Sequence, residues 1–247
     1  MSVALLAAVA VAVGFFVGAV GVGGVLLIPA LVLLGGLGIH VASATALFTF
    51  LFTGLLGTWL FHRQGSIERR LVIPVCGGSA LFSYLGAMAA SMINARPLEY
   101  IIAAIIIVAG VYVLRPSRRG AGAQRDGRGP AQQALLLAVG AVAGFGSGLS
   151  GAGGAAFSVP MMMALGFNPL ASIGVSQVLQ IVVATSGTLG NLQYGAVDFA
   201  TAAWVSVLEL AGVFLGVRAA HAAPIALLRG LAAVLCIAVG GFMLLRA

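Results

Sequence analysis

Long runs of apolar residues, separated by short polar or glycine-rich breaks, follow one another along the whole chain. A helix needs roughly 20 apolar residues, at about 1.5 Å of rise per residue, to cross a bilayer. Most runs approach or exceed that length, so the pattern predicts membrane-spanning helices. The ten runs are 3–20, 25–37, 41–61, 69–93, 97–114, 133–149, 155–167, 171–193, 199–220 and 225–245.

Two of the ten runs, 25–37 and 155–167, are too short to span a bilayer. Each begins at a glycine cluster and contains a proline, and each is the second run of its half of the chain. The predicted fold is therefore an all-α polytopic membrane protein with two homologous halves. Each half has four full spans plus one short Gly/Pro-interrupted helix.

Composition excludes a soluble protein. Apolar residues make up 62% of the chain and charged residues 7%, with a mean hydropathy of +1.18, whereas soluble proteins contain about 25% charged residues. All 12 basic side chains are arginines, and they lie at the ends of apolar runs. Such charges are typical of cytoplasmic loops that face anionic lipid. We therefore expect an inner or plasma membrane location and no nucleic-acid partner.

One polar segment divides the chain. Residues 115–133 are rich in Gly, Pro and Arg and contain almost nothing that a core would bury. Such a composition is typical of a flexible linker. We predict a first membrane repeat over 1–115, a flexible cytoplasmic linker over 116–131 and a second membrane repeat over 132–247.

The two halves resemble each other at nearly constant spacing. Pro29 and Pro160 lie 131 positions apart, and each follows a glycine cluster. At that offset Thr45 aligns with Ser176. After the loss of one position, Leu85-Gly86 aligns with Leu215-Gly216. This agreement predicts an internal duplication.

The arginines distinguish two topologies. With the linker in the cytoplasm, Arg69 and Arg70 also lie inside. If the short segments cross the membrane, the halves are inverted repeats, and Arg218 and Arg229 lie inside as well. If they only dip in and out, the halves are parallel repeats of four spans, and those two arginines lie outside. The positive-inside rule favours inverted repeats, and parallel repeats remain the alternative.

The duplicated glycine clusters predict a binding site. Paired short, Gly/Pro-interrupted segments at matching places in two halves are a sequence sign of a transporter site. A helix that restarts inside the membrane leaves N–H groups unpaired, and these groups and the positive end of the helix dipole suit an anion. Close helix packing through small residues is the alternative interpretation. The candidate residues are Gly21, Gly23, Gly24, Gly151, Gly153 and Gly154.

Polar residues in the third run of each half extend this candidate site. Thr45 and Thr49 lie one turn apart on a helix, and their counterparts in the second half are Ser176 and Gln180. Gln177 is an additional candidate, because an amide in hydrocarbon is costly unless it is paired. Two stripes of neutral donors suit an oxyanion that must be bound and released. Hydrogen bonds within the same helix are the alternative for the hydroxyl groups.

Glu209 is the one acidic residue near the middle of a predicted span. Placing a carboxylate there costs roughly 2.5–3.5 kcal/mol, so such residues usually serve a function. We take Glu209 as the candidate for proton coupling, with a hydrogen-bonded structural role as the alternative. An ionised Glu209 would repel an anion, and we do not place it in the anion pocket.

The motif G-A-G-G-A-A-F-S-V-P at 151–160, followed by A-S-x-G-V-S at 171–176, resembles the sulfite exporter TauE/SafE family. The first-half copy, with A-S-A-T at 42–45, resembles the same motif, although Val20 and Val22 replace expected glycines. The resemblance covers both halves and the linker. It implies a membrane transporter for sulfite, sulfonates or other organosulfur anions.

These observations favour a secondary transporter, not an enzyme, for a small sulfur-containing oxyanion. The anion binds between the glycine-broken helix starts, and the halves alternate access; the candidate coupling ion is a proton. A passive anion channel is the alternative, and a membrane assembly factor or an enzyme ranks below it. We expect no cofactor and no metal, because no cluster of His, Cys or acidic residues has ligand spacing.

Overall fold

The computed structural model describes residues 2–21, 23–94, 129–194 and 196–222, with isolated residues between 96 and 127 and between 224 and 245. Within this part of the chain all regular structure is helical. A 3-10 turn at Gly23–Leu26 precedes the second helix. The helices are α1 (Ser2–Val20), α2 (Leu27–Leu33), α3 (Ile39–Arg63), α4 (Arg69–Met92), α5 (Pro130–Ser150), α6 (Ala155–Ala164), α7 (Pro169–Tyr194) and α8 (Phe199–Ala222).

The helix lengths confirm a polytopic membrane protein. Among the described residues, five helices are long and apolar enough to span a bilayer, namely α3, α4, α5, α7 and α8. The 19 residues of α1 form a further apolar helix. Most residues of the predicted spans 97–114 and 225–245 and of the predicted linker 116–131 lie outside the described residues. Both short runs form short helices, α2 and α6.

The outer surface of the described helices is apolar. Large apolar side chains are exposed on the outer faces of α4, α5 and α8, including Ile73, Leu137 and Val207. The buried interior is mainly apolar as well, but it also contains polar residues, including Gln177 and Glu209. This distribution matches a lipid environment, where apolar surface faces the acyl chains and polar groups need partners inside the protein.

Two pairs of parallel helices surround α3 and α7. Gly14 of α1 lies against Glu209 of α8, and further along the same pair Gly18 lies against Val213. The same parallel contact joins α4 and α5, where Gly140 lies against Val75. Glycines at these positions allow the backbones to approach closely. The first helix of each half therefore packs against the last described helix of the other half.

The central pair, α3 and α7, runs antiparallel. Gln180 of α7 donates to Thr53 of α3, while Leu47, near the start of α3, meets Gly187, near the end of α7. Both helices are more buried than the outer ones: over their apolar 18-residue stretches, 61% of α3 and 67% of α7 lie inside the protein, against 44% for α4, α5 and α8. This places residues from both halves side by side in the centre of the bundle.

The helix directions favour the inverted arrangement. Gln133 near the start of α5 donates to the Arg70 carbonyl at 3.3 Å, and Gly174 near the start of α7 lies against the Ser66 carbonyl. Both helices therefore begin beside the same loop, and the short helix between them, α6, must return across the bundle. Its ten residues rise about 15 Å, half of a hydrocarbon core of about 30 Å. The repeat relation itself stays a prediction.

Candidate functional site

The two glycine loops meet inside the bundle. A methyl group on Gly24 would lie 2.7 Å from the Ala152 carbonyl oxygen, so the two backbones are in direct contact there. A methyl group on Gly21 would lie 3.3 Å from the Ser176 hydroxyl and 3.7 Å from Ala155. The structure thus brings together the loop that precedes α2 and the loop that precedes α6, one from each half.

Three of the loop glycines require a backbone that only glycine adopts easily. The φ angles of Gly21, Gly151 and Gly153 are +79°, +72° and +79°, in the left-handed region where a Cβ atom is disfavoured. Gly151 ends α5 in this conformation, and its N–H donates to Ser147. The chain can therefore stop one helix and restart the next without a side-chain clash.

The second loop carries free backbone donors. Among the described residues, no hydrogen bond involves the N–H groups of Gly153 and Gly154, which precede α6. The carbonyls of the same two residues accept from Ala156 and Ser158. Unpaired N–H groups at the start of a helix form the positive end of its dipole, which stabilises an anion.

Loop glycines also make close packing contacts in this conformation. Gly23 lies against Val13 and Val17 of α1, within its own half. Gly154, whose N–H is free within the described part of the chain, lies against the Leu179 side chain of α7. Close packing and a free backbone donor are therefore compatible, and Gly154 combines them.

The predicted hydroxyl stripes are largely satisfied by their own helices. Thr49 donates to the Ala46 carbonyl at 2.9 Å, and Ser176 donates to the Ile173 carbonyl at 2.7 Å. Both residues are fully buried. The alternative of bonds within the helix applies to these two residues, so they could contact an anion only as secondary ligands or after a change of rotamer.

The two glutamines connect the halves. Gln180 donates its amide to the Thr53 hydroxyl at 2.8 Å, and Gln177 donates to the Val17 carbonyl at 3.0 Å. The Gln177 Oε1 atom is buried without a hydrogen-bond partner among the described residues. Both amides therefore lie at the interface between the halves, the location expected for residues that respond to motion of one half against the other.

Glu209 is fully buried against α1 and α3. The Thr49 hydroxyl lies beside its carboxyl group but donates its hydrogen to Ala46. Within the described part of the chain, neither carboxylate oxygen has a hydrogen-bond partner. Ser206, one turn earlier on α8, also has a buried hydroxyl without a hydrogen-bond partner among the described residues. Glu209 therefore lies next to Thr49 but on a different helix, α8, from the hydroxyl groups of Thr45 and Thr49 on α3.

Thr45 is tied to a loop outside the spans. Its hydroxyl oxygen accepts from the Asp198 N–H at 3.0 Å. The Asp198 carboxylate in turn caps α8: it accepts from Thr201 through the hydroxyl at 2.6 Å and through the backbone at 3.2 Å. These bonds to Thr201 lower the pKa of Asp198 below its usual value. Sequence reasoning missed this contact, because Thr45 and Asp198 belong to different halves.

Phe50 is a further residue that sequence reasoning did not select. Its ring is fully buried and touches glycines of both loops. An aromatic residue within an apolar run is the ordinary pattern of a packed core, so the sequence contains no signal for it. Among the described residues, no group of three His, Cys, Asp or Glu side chains is arranged to hold a metal ion.

Comparison with known proteins agrees with this architecture. The family model described as "Sulfite exporter TauE/SafE" matches residues 6–243. The chain belongs to the sulfite exporter TauE/SafE family. It is thus a multi-pass membrane transporter. It is similar to "Probable membrane transporter protein YdhB" of Bacillus subtilis (strain 168), with 30% identity over 240 residues, covering 94% of this chain and 96% of the relative. No solved structure matches the chain.

Proposed function

We propose that this transporter is a secondary transporter that moves a small sulfur-containing oxyanion, such as sulfite or a sulfonate, across the inner or plasma membrane. The anion binds where the two glycine loops meet, and one half moves against the other to alternate access. The observation that carries the proposal is the meeting of these loops next to the unpaired N–H groups of Gly153 and Gly154.

The chemistry of the loops supports an anionic substrate. Backbone N–H groups are donors only, and the helix that follows them, α6, adds the positive end of its dipole. No arginine lies within the described spans α3, α7 or α8 except near their ends. A site without a buried cation holds an anion weakly enough to release it, which a transporter requires at every cycle.

The family name supports the sulfur oxyanion in particular, since the matching family is described by sulfite export. Coupling to a proton through Glu209 is the remaining part of the proposal. It is supported by the burial of this carboxylate without a partner and by its position beside Thr49. A proton taken up there would be one side chain away from the proposed anion site.

Flux into proteoliposomes tests the proposal. Purified protein should give saturable uptake of sulfite, thiosulfate or a simple sulfonate, and the transported anion should also raise the melting temperature, since a ligand at 100 times its Kd adds about 2.7 kcal/mol of stability. Gly154→Leu is the variant expected to lose transport, because a leucine there crowds Leu179 and covers the loop. Absence of both flux and stabilisation with every sulfur oxyanion contradicts the proposal, and flux without saturation indicates a channel instead.

A further inference from the structure

The ring of Phe50 lies between the two glycine loops. A methyl group on Gly24, in the first loop, would lie 2.8 Å from its Cζ atom, and one on Gly153, in the second loop, 3.1 Å from its Cδ2 atom. The Cε2 atom is within 3.3 Å of both methyl positions. The same edge of one ring therefore faces the loop of each half, and the side chain is completely buried.

The ring occupies the space next to the free donors. The N–H of Gly153 is unpaired among the described residues and the ring packs on the same residue, so an anion bound at this N–H would lie close to Phe50. The edge of an aromatic ring carries partial positive charge and its C–H groups are apolar. It can therefore lie against an oxyanion without repelling it, and it sets a steric limit on whatever the sulfur atom carries.

We propose that Phe50 is the size-determining residue of the transport site and selects small oxyanions over those with a larger organic substituent. This inference rests on the proposed function and adds a residue that limits the substrate. The glycines opposite the ring have no side chain to adjust, and the Ala152 carbonyl oxygen lies 2.7 Å from the same methyl position on Gly24 that the ring faces. The size of the Phe50 side chain therefore sets the space available at the site, and its volume decides which substituent fits.

Competing fluxes of sulfite, methanesulfonate and ethanesulfonate in proteoliposomes test this inference. Phe50→Ala and Phe50→Leu should raise the ratio of ethanesulfonate to methanesulfonate transport by about tenfold or more, the effect of one methylene in a fitted pocket. Phe61→Leu is the matched control. Phe61 is an equally buried phenylalanine on α3 that packs against the His221 ring at 5.4 Å, about 16 Å further along the helix, and its replacement should leave the ratio unchanged.

The outcomes separate this inference from the proposed function. If the wild type transports none of the three anions, the proposed function itself fails. If the wild type transports sulfite and Phe50→Leu transports it with an unchanged ratio, Phe50 does not set the size limit. An equal loss of all three fluxes in a folded Phe50→Leu protein also overturns the inference, since it indicates packing alone. Phe50→Leu keeps most of the buried volume and decides the question where Phe50→Ala does not fold.

Discussion

At the scale of single residues, some buried polar groups of this protein have a hydrogen-bond partner, and others have none among the described residues. Gln180, Thr49 and Ser176 each donate to a named acceptor. Glu209 has no such partner for either carboxylate oxygen among the described residues. A buried polar group without a hydrogen bond costs free energy, and the proposal that Glu209 couples transport to a proton rests on this cost.

Replacement of Glu209 by glutamine tests proton coupling. We expect Glu209→Gln to retain anion exchange between equal solutions but to lose accumulation driven by a pH gradient, because the amide cannot take up and release a proton. Accumulation driven by the pH gradient should fall by about 5-fold to 150-fold, the range that corresponds to ordinary coupling free energies. Accumulation assays with and without an imposed pH gradient measure it. Asp198→Asn, at the membrane surface, is the control; gradient-driven accumulation that survives in Glu209→Gln would assign Glu209 a structural role.

Gly153, one of two left-handed glycines in the second loop, allows a matched comparison with a glycine outside the loop. Gly153 and Gly36 have φ angles of +79° and +69°, but Gly153 packs on Phe50 whereas Gly36 has no neighbour within 4 Å. An alanine at either position costs about 1–2 kcal/mol in backbone strain. Gly153→Ala should also weaken anion transport, and Gly36→Ala should not. Equal transport by the two variants would show that the loop serves packing only.

At the scale of helices, glycines determine which faces pack together. On α4, Gly78 lies against the Leu137 carbonyl of α5, while its neighbour Gly77 meets nothing within 4 Å. Because Gly77 is exposed and Gly78 is buried, the two adjacent residues face different surroundings on the same helix. Small residues at such contacts allow the helix backbones to approach, which compensates for the weak hydrophobic drive between helices in lipid.

These adjacent glycines give a direct test of the α4–α5 contact. Gly78→Val should lower the stability of the purified protein by about 1–3 kcal/mol, the usual cost of overpacking. Gly77→Val, which faces open space, should change stability by less than about 0.5 kcal/mol. Thermal melting in one detergent compares them. Similar melting temperatures for both variants would argue against parallel packing of α4 on α5.

At the scale of the whole molecule, the directions of the helices bear on how the two halves are related. Each of the parallel pairs α1–α8 and α4–α5 joins one helix from each half, and the central pair α3–α7 is antiparallel. Parallel repeats of four spans would place α3 and α7 in the same direction. The observed directions therefore support inverted halves in which each short helix counts as a crossing.

Accessibility of single cysteines tests this topology. In a protein with Cys76 and Cys236 replaced, Ser66→Cys and Ala196→Cys place one label in each of two equivalent loops. Inverted halves put these loops on opposite membrane sides, with 66 inside and 196 outside. A membrane-impermeant maleimide applied to intact cells should therefore label only position 196. Parallel halves would place both loops inside, and neither position would react until the cells are opened.

The sequence alone determined the class of the protein and much of its outline. Apolar run lengths predicted the long helices, the glycine clusters predicted where α2 and α6 restart, and the motif at 151–160 indicated the family. These features are local: length, periodicity and the steric freedom of glycine are set within a few neighbouring residues. Helix ends agree with the predicted runs to within a few residues, as for the run 133–149 and α5 (Pro130–Ser150).

Only the tertiary structure decided which residues meet. The contacts of Phe50 with both loops, of Thr45 with Asp198, and of Glu209 with α1 join residues far apart in the chain. The hydrogen bonds of Gln177 and Gln180 also join residues from the two halves of the chain. Each depends on how helices pack and in which direction they run, and no local pattern encodes that. A hydroxyl stripe predicts a polar face, but whether its hydrogens serve the helix or a ligand depends on the acceptors that packing brings near.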